Sequence, residues 1–300
     1  MNKKLISLIC ALSCSFIWGT AFIAQDRGMD YIGPFSFSAG RMLLGFLALV
    51  PFFFIFEFRK IKRKKLPLKK IFIYLTFLGF LLFGGNALQQ YSLLYTDVAN
   101  SAIFTIFYIL IVPVISFYFF SKKIHWSVWP AVLICLIGGF LLTDITNVDV
   151  RFGDTLVLLG SFFWAFHIVF TAKFLKIFNY PFAIATGQCL LGSIIAFVPS
   201  FAIESVTLGN LLMEKEELLY AGVLSSGIAF LLQIYSQQNL SPAPVAIIFS
   251  LEGVFAALFG WILLSQFLSE LKIFGIVLIL GAVIFSQLTP IYGKKQHGRN

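Results

Sequence analysis

Ten apolar stretches follow one another along this chain of 300 residues, over 5–25, 34–56, 71–95, 100–121, 128–143, 154–173, 181–202, 218–238, 243–264 and 272–289. Each is close to the roughly 20 residues that carry a helix across about 30 Å of hydrocarbon. Lipid offers no water to backbone N–H and C=O groups, so a spanning segment of this length must close its hydrogen bonds on itself as a helix. The expected fold is an all-α integral membrane protein with ten transmembrane helices. Soluble alternatives fail on composition. With 59% hydrophobic and 12% charged residues, the chain carries about half the charge of an ordinary soluble domain. A soluble monomer of this size could not hide that much apolar surface.

The charges then orient the helices. With both termini inside, 17 of the 22 Lys and Arg residues fall in inside loops and tails. They are Lys3, Lys4, the run Arg59, Lys60, Lys62, Arg63, Lys64, Lys65, Lys69 and Lys70, then Lys122, Lys123, Lys173, Lys176, Lys294, Lys295 and Arg299. Of the 13 acids, 11 fall outside. Cytoplasmic loops collect Lys and Arg, so this separation predicts a multi-pass protein of a bacterial cytoplasmic (inner) membrane with both termini cytoplasmic. The net charge of +9 is expected to face anionic membrane lipid rather than nucleic acid. Cys10, Cys14, Cys135 and Cys189 lie inside apolar runs with no metal or disulfide spacing, and are expected to be reduced packing residues. No cleavage site follows Lys3 and Lys4, so the first stretch is expected to be a retained helix.

The chain also repeats itself. Pro34-Phe35 leading to Gly40-Arg41-Met42-Leu43-Leu44-Gly45 returns as Pro181-Phe182 leading to Gly187-Gln188-Cys189-Leu190-Leu191-Gly192. Ser15-Phe16-Ile17-Trp18 returns as Ser161-Phe162-Phe163-Trp164, and Gln89-Gln90-Tyr91-Ser92 as Gln233-Ile234-Tyr235-Ser236. Gly138 and Gly281 centre the fifth and tenth stretches, and the offset stays between 143 and 147. The expected units are 1–145 and 153–290, followed by a basic cytoplasmic tail over 291–300. Five helices per half is an odd number, so the second half enters the membrane inverted. Inverted repeats are an architecture of secondary transporters, with the substrate held near the midplane between the halves.

Trp18-Gly19-Thr20, Pro34 with Arg41, and Leu251-Glu252-Gly253-Val254, in this order and spacing, resemble the EamA-type transporters of the drug/metabolite transporter superfamily. The resemblance covers essentially the whole chain. It departs at Gly253, where the family usually has proline, and at Ser121-Lys122-Lys123 and Ser265-Gln266, where an acid is usual after the helix. It implies movement of small metabolites, often amino acids or their analogues, without ATP.

An ionisable group inside hydrocarbon costs about 2.5–3.5 kcal/mol on insertion scales and so needs a partner or a purpose. Arg41 lies about 10 Å into the second helix at 1.5 Å per residue. It could clamp a substrate carboxylate or cap carbonyls of a broken helix. Glu252 could carry a coupling proton, sit neutral against a neighbouring helix, or pair with Arg41. Trp18 and Trp164 are expected at equivalent depths, facing a central cavity or the interface between the halves. His167, three residues beyond Trp164, is a packing residue or a substrate contact. Asn86, Gln89, Gln90, Gln233 and Tyr235 could line a cavity or join helices. Pro113 and glycines such as Gly79, Gly138 and Gly222 are candidate hinges.

No phosphate-binding glycine loop is present, and no catalytic constellation suggests an enzyme; no cofactor or metal is called for. The expected function is a secondary transporter moving an amino acid or related compound, outward, by alternating access. The substrate-binding candidates are Trp18, Arg41, Asn86, Gln89, Trp164, His167, Gln233 and Tyr235, with Glu252 as the coupling candidate and a proton as the candidate ion. The alternative is a channel, or a carrier of a nucleoside, amine or cofactor. A monomer or a homodimer would serve.

Overall fold

The computed structural model describes residues 2–64, 66–120, 124–142, 151–265 and 267–296, the side chains of 99, 264 and 289–296 excepted. Expectations resting on Lys65, Lys122, Lys123, Asp144, Asp149, Gln266 and the side chains of the basic tail lie outside the described residues. The described chain is helical, with no strand. The spans are α1 (Lys3–Arg27), α2 (Pro34–Arg63), α3 (Leu68–Ser92), α4 (Asn100–Phe120), α5 (Val128–Leu142), α6 (Phe152–Leu175), α7 (Pro181–Ile203), α8 (Lys215–Gln237), α9 (Pro242–Leu263) and α10 (Glu270–Leu288). All but the shorter α5 are long and apolar enough to cross a bilayer. Their outer faces carry exposed Leu12, Phe80, Leu133, Ile194 and Ile284, as a lipid solvent requires. This is a multi-pass membrane protein, with ten such helices among the described residues.

The packing repeats with the sequence. α2 lies against α7 and α5 against α10, while α1 meets α9 as α6 meets α4. Likewise α3 packs on α7 as α8 packs on α2, and α3 on α6 as α8 on α1. Each relation is its partner with the two five-helix halves exchanged.

Proline opens both α2 and α7 at the first helical position, where its missing N–H is no loss. The next N–H groups are taken by acids at matching positions. Glu204 accepts from the Phe35 and Ser36 N–H groups at 2.9 and 2.7 Å, and from the Ser36 hydroxyl. At the other end of the pair, Glu57 Oε2 accepts from the Ala183 N–H at 2.8 Å.

Two local features differ from expectation. The cationic loop is largely helical: α2 passes through a π-helical turn at Phe54–Phe58 and carries Arg59, Lys60, Lys62 and Arg63 on its last turn. Lys and Arg are good helix formers, so the apolar run does not end the helix. Pro113 lies within regular helix, and α4 breaks nearly two turns earlier, at Ile106 and Phe107. In α9 the break falls at Ser250 in the same register, although the counterpart of Pro113 is Ala257. Proline is therefore not what breaks these helices. Where α5 crosses α10, a Cβ on Gly138 would lie 2.7 Å from the Gly275 carbonyl oxygen, whereas Gly281 faces open space.

Candidate functional site

Between the halves lies a cavity walled by side chains of α1, α2, α3, α4, α6, α8 and α9. Its lining is built from repeat mates. Trp18 and Trp164, Gln89 and Gln233, and Tyr108 and Glu252 all face it, as do Phe22 with Ile168 and Asn86 with Phe230. The two tryptophans flank one ring, their centroids 5.0 and 5.9 Å from that of Phe230. These aromatic walls suit an apolar moiety.

The pseudo-symmetry ends where charge enters. Arg41, 2% exposed, is fixed by three neutral oxygens. Its Nη1 donates to Gln25 Oε1 at 2.8 Å, Nη2 to Ser225 Oγ at 2.7 Å and Nε to Ser226 Oγ at 2.9 Å. The two serines belong to a π-helical segment of α8, Tyr220–Ala229, a geometry frequent at functional sites. The polar chain continues, as Gln89 Nε2 donates to Gln25 Oε1 at 3.4 Å and Trp164 Nε1 donates to Gln89 Oε1 at 3.2 Å. A guanidinium has five N–H donors, and three of them are used by these contacts. Among the described residues the ion pair within 4 Å is the exposed Arg151–Asp97, so Arg41 and Glu252 do not pair directly. Glu252, 5% exposed, instead accepts from Tyr108 Oη at 3.1 Å. The cavity thus holds one cation and one acid, each bound only to neutral partners by the described contacts.

Of the sequence candidates, Trp18, Arg41, Asn86, Gln89, Trp164, Gln233 and Glu252 line this cavity. His167 does not line it. It is fully buried one layer behind, its Nε2 3.0 Å from Gln188 Oε1 and its Nδ1 3.4 Å from Gln233 Nε2. Trp164 and Ile168, four apart, show the face of α6 that does line it. Tyr235 also stands apart and packs edge-on against Phe182 at 6.1 Å. Two residues past Gln233 is about 200° around a helix of 3.6 residues per turn, which turns it away. Phe22, Gln25, Thr105, Tyr108, Ile168, Ser225 and Phe230 were not singled out in the sequence. Helical spacing could have found Phe22 and Gln25, four and seven residues after Trp18. The repeat register could have found Tyr108. Nothing in the sequence marks the π-helical segment that presents Ser225.

No group of three or more His, Cys, Asp or Glu residues is placed to hold a metal among the described residues, and all four cysteines are free. The profile of the EamA-like transporter family matches residues 5–144 and 151–288, one match in each half. The chain belongs to the EamA-like transporter family. Relatives of this EamA-like protein include an uncharacterized transporter of Archaeoglobus fulgidus, 26% identical over 95% of this chain and 87% of that protein. The uncharacterized transporter YoaV of Bacillus subtilis is 26% identical over 96% and 98%. The threonine/homoserine exporter RhtA of Salmonella typhimurium is 28% identical over 94% and 91%. A solved crystal structure at 14% identity superposes with a TM-score of 0.78 over 94% of this chain and 96% of that one, which shows the fold alone.

Proposed function

We propose that this transporter carries a small zwitterionic metabolite, an amino acid first of all, outward across the cytoplasmic membrane by alternating access. The observation that carries the reading is Arg41: a buried guanidinium held by three neutral oxygens on the wall of a cavity. A substrate carboxylate would supply the missing anion through charge-assisted hydrogen bonds, about twice as strong as neutral ones. The substrate's ammonium group would find Glu252, and its side chain would lie among Trp18, Trp164 and Phe230. Glu252 is also the one carboxyl group lining this cavity, which makes it the site for a coupling proton. Export is favoured by the activity named for RhtA, and cytoplasmic termini by the Lys and Arg bias. A channel reading is disfavoured by the inverted repeat, which suits alternating access.

Counterflow in proteoliposomes with a pooled panel of labelled amino acids tests this. Accumulation of label above that of empty vesicles is the expected result. No accumulation by well-folded protein overturns the amino-acid reading and directs the search to nucleosides, amines and cofactors.

A further inference from the structure

A second, larger space opens at the end of the bundle where α4, α6 and α8 finish and α5 and α9 begin. It is a vestibule whose apolar walls include Phe120, Ile124 and Leu175. Two of its polar lining residues are buried and unsatisfied. Ser116 is 7% exposed with no partner for Oγ, and Gln237 is 5% exposed with none for Oε1. Buried polar groups are almost always paired, so these two orphans, one on α4 and one on α8, are groups that a ligand's polar atoms would satisfy once the side chains turn into the space. Glutamine Oε1 only accepts, and the ligand group that suits it is an N–H donor such as an ammonium.

This vestibule is one helical turn from the central cavity on each of two helices. Ile168 and Gln233 line the cavity, whereas Ala172 and Gln237, four residues further along each helix, line the vestibule. Gln237 Nε2 ties the two helices at that turn, donating to the Ile168 carbonyl oxygen at 2.8 Å. The other half carries a similar tie, out of the repeat register. Gln90 Nε2 of α3 donates to the Gln25 carbonyl oxygen of α1 at 2.6 Å, and Gln90 Oε1 is likewise unpartnered. α3 and α1 are the repeat mates of α8 and α6, so each half has, among the bonds between its own pair, one from an amide with a spare acceptor.

We propose that the vestibule is a second binding station for the transported amino acid, entered from the cytoplasm, and that Gln237 is the gate through which it passes to the central cavity. This rests on the amino-acid reading above. An incoming ammonium group engages Gln237 Oε1, and its departure toward Glu252 requires the amide to swing off the Ile168 carbonyl.

The test uses the full chain in proteoliposomes of known sidedness, with Cys10→Ser to remove the half-buried native thiol and Asn239→Cys to place a reporter at an exposed position of the vestibule lining. The probes are a membrane-impermeant maleimide and the twenty amino acids, L-threonine first. The expected result is labelling at position 239 from the cytoplasmic face alone, slowed at least about fivefold by whichever amino acid the protein exchanges in counterflow. That protection should persist when Arg41→Ala has abolished counterflow. Protection that vanishes with Arg41→Ala overturns the proposal, because one site then accounts for everything. Labelling from the outer face, or labelling indifferent to an exchanged amino acid, overturns it while leaving the carrier reading intact. Absence of counterflow with all twenty overturns the carrier reading and this proposal with it. The gate has its own measure: Gln237→Leu should slow counterflow at least about tenfold in protein that still elutes as a single species, and normal counterflow would remove Gln237 from the role.

Discussion

Tyr108 and Glu252 occupy the same register of the two halves, 144 residues apart, and meet in the central cavity, where Tyr108 Oη donates to Glu252 Oε1 at 3.1 Å. Each lies two residues past the break of its helix. The breaks match in detail: Ile106 and Ser250 both have ψ near −14°. Ile109 N–H donates to the Ile106 carbonyl at 2.9 Å as Gly253 N–H does to the Ser250 carbonyl at 3.2 Å. Duplication therefore supplied the geometry twice, and divergence at one residue gave the cavity its acid.

That acid should separate exchange from driven transport. Counterflow moves one solute molecule against another and needs no net proton movement. Accumulation driven by a pH gradient does need it. Glu252→Gln, which keeps the acceptor for Tyr108 but removes the anion that meets the substrate's ammonium group, should retain counterflow at a raised KM and lose gradient-driven accumulation. Tyr108→Phe should slow both by less than tenfold. Gradient-driven accumulation at the wild-type level by Glu252→Gln would remove the coupling role.

Arg41 should govern apparent affinity. A hydrogen bond to a charged group contributes about 1.5–3 kcal/mol, and every 1.4 kcal/mol is a factor of ten. Arg41→Lys keeps the charge but not the fork held by Gln25, Ser225 and Ser226, and should raise the KM for transport by about ten- to a hundredfold. Gln25→Ala, which frees the guanidinium without removing it, should act in the same direction and less strongly. An unchanged KM in both variants would return Arg41 to a purely structural role.

Much of this site is legible in the sequence, for physical reasons. Hydrocarbon makes ionisable groups costly, so Arg41 and Glu252 stand out within the apolar spans. The constant offset carried Trp18 to Trp164 and Gln89 to Gln233, and all four reach the cavity. Residues whose meaning depends on backbone winding were not legible. Ser225 reaches Arg41 from a π-helical segment, and the period of an ordinary helix does not predict that. His167 and Tyr235 show the limit of reading depth without azimuth. Both lie on the right helices, but His167 sits behind the wall and Tyr235 turns away.

Helix crossing offers a clean contrast. A Cβ at Gly138 would meet the Gly275 carbonyl oxygen at 2.7 Å, a backbone atom that cannot step aside, whereas nothing lies within 4 Å of one at Gly281. Overpacking of this kind typically costs about 1–3 kcal/mol. Gly138→Ala should lower the thermal midpoint in detergent. Gly281→Ala should leave it unchanged or raise it slightly, since alanine in a helix is favoured over glycine by about 0.8–1.0 kcal/mol. Equal midpoints for the two variants would mean that α5 and α10 do not cross at Gly138.

The reciprocal caps make the last prediction. Glu57 and Glu204 are repeat mates, 147 residues apart, and each closes the first turn of the helix that pairs with its own. A carboxylate there both satisfies orphan N–H groups and meets the positive end of the helix dipole. Losing such a cap costs about 0.5–2 kcal/mol. Glu204 accepts from two N–H groups and the Ser36 hydroxyl, and Glu57 from the Ala183 N–H. Glu204→Ala should therefore lower the thermal midpoint more than Glu57→Ala. The two acids sit at opposite ends of the α2–α7 pair and share no partner, so the double variant should lose the sum to within about 0.3–0.5 kcal/mol. Glu204→Gln keeps the acceptor and loses the charge, and should fall between wild type and Glu204→Ala. A midpoint in Glu204→Ala equal to that of wild type would show that α2 holds its first turn without the cap.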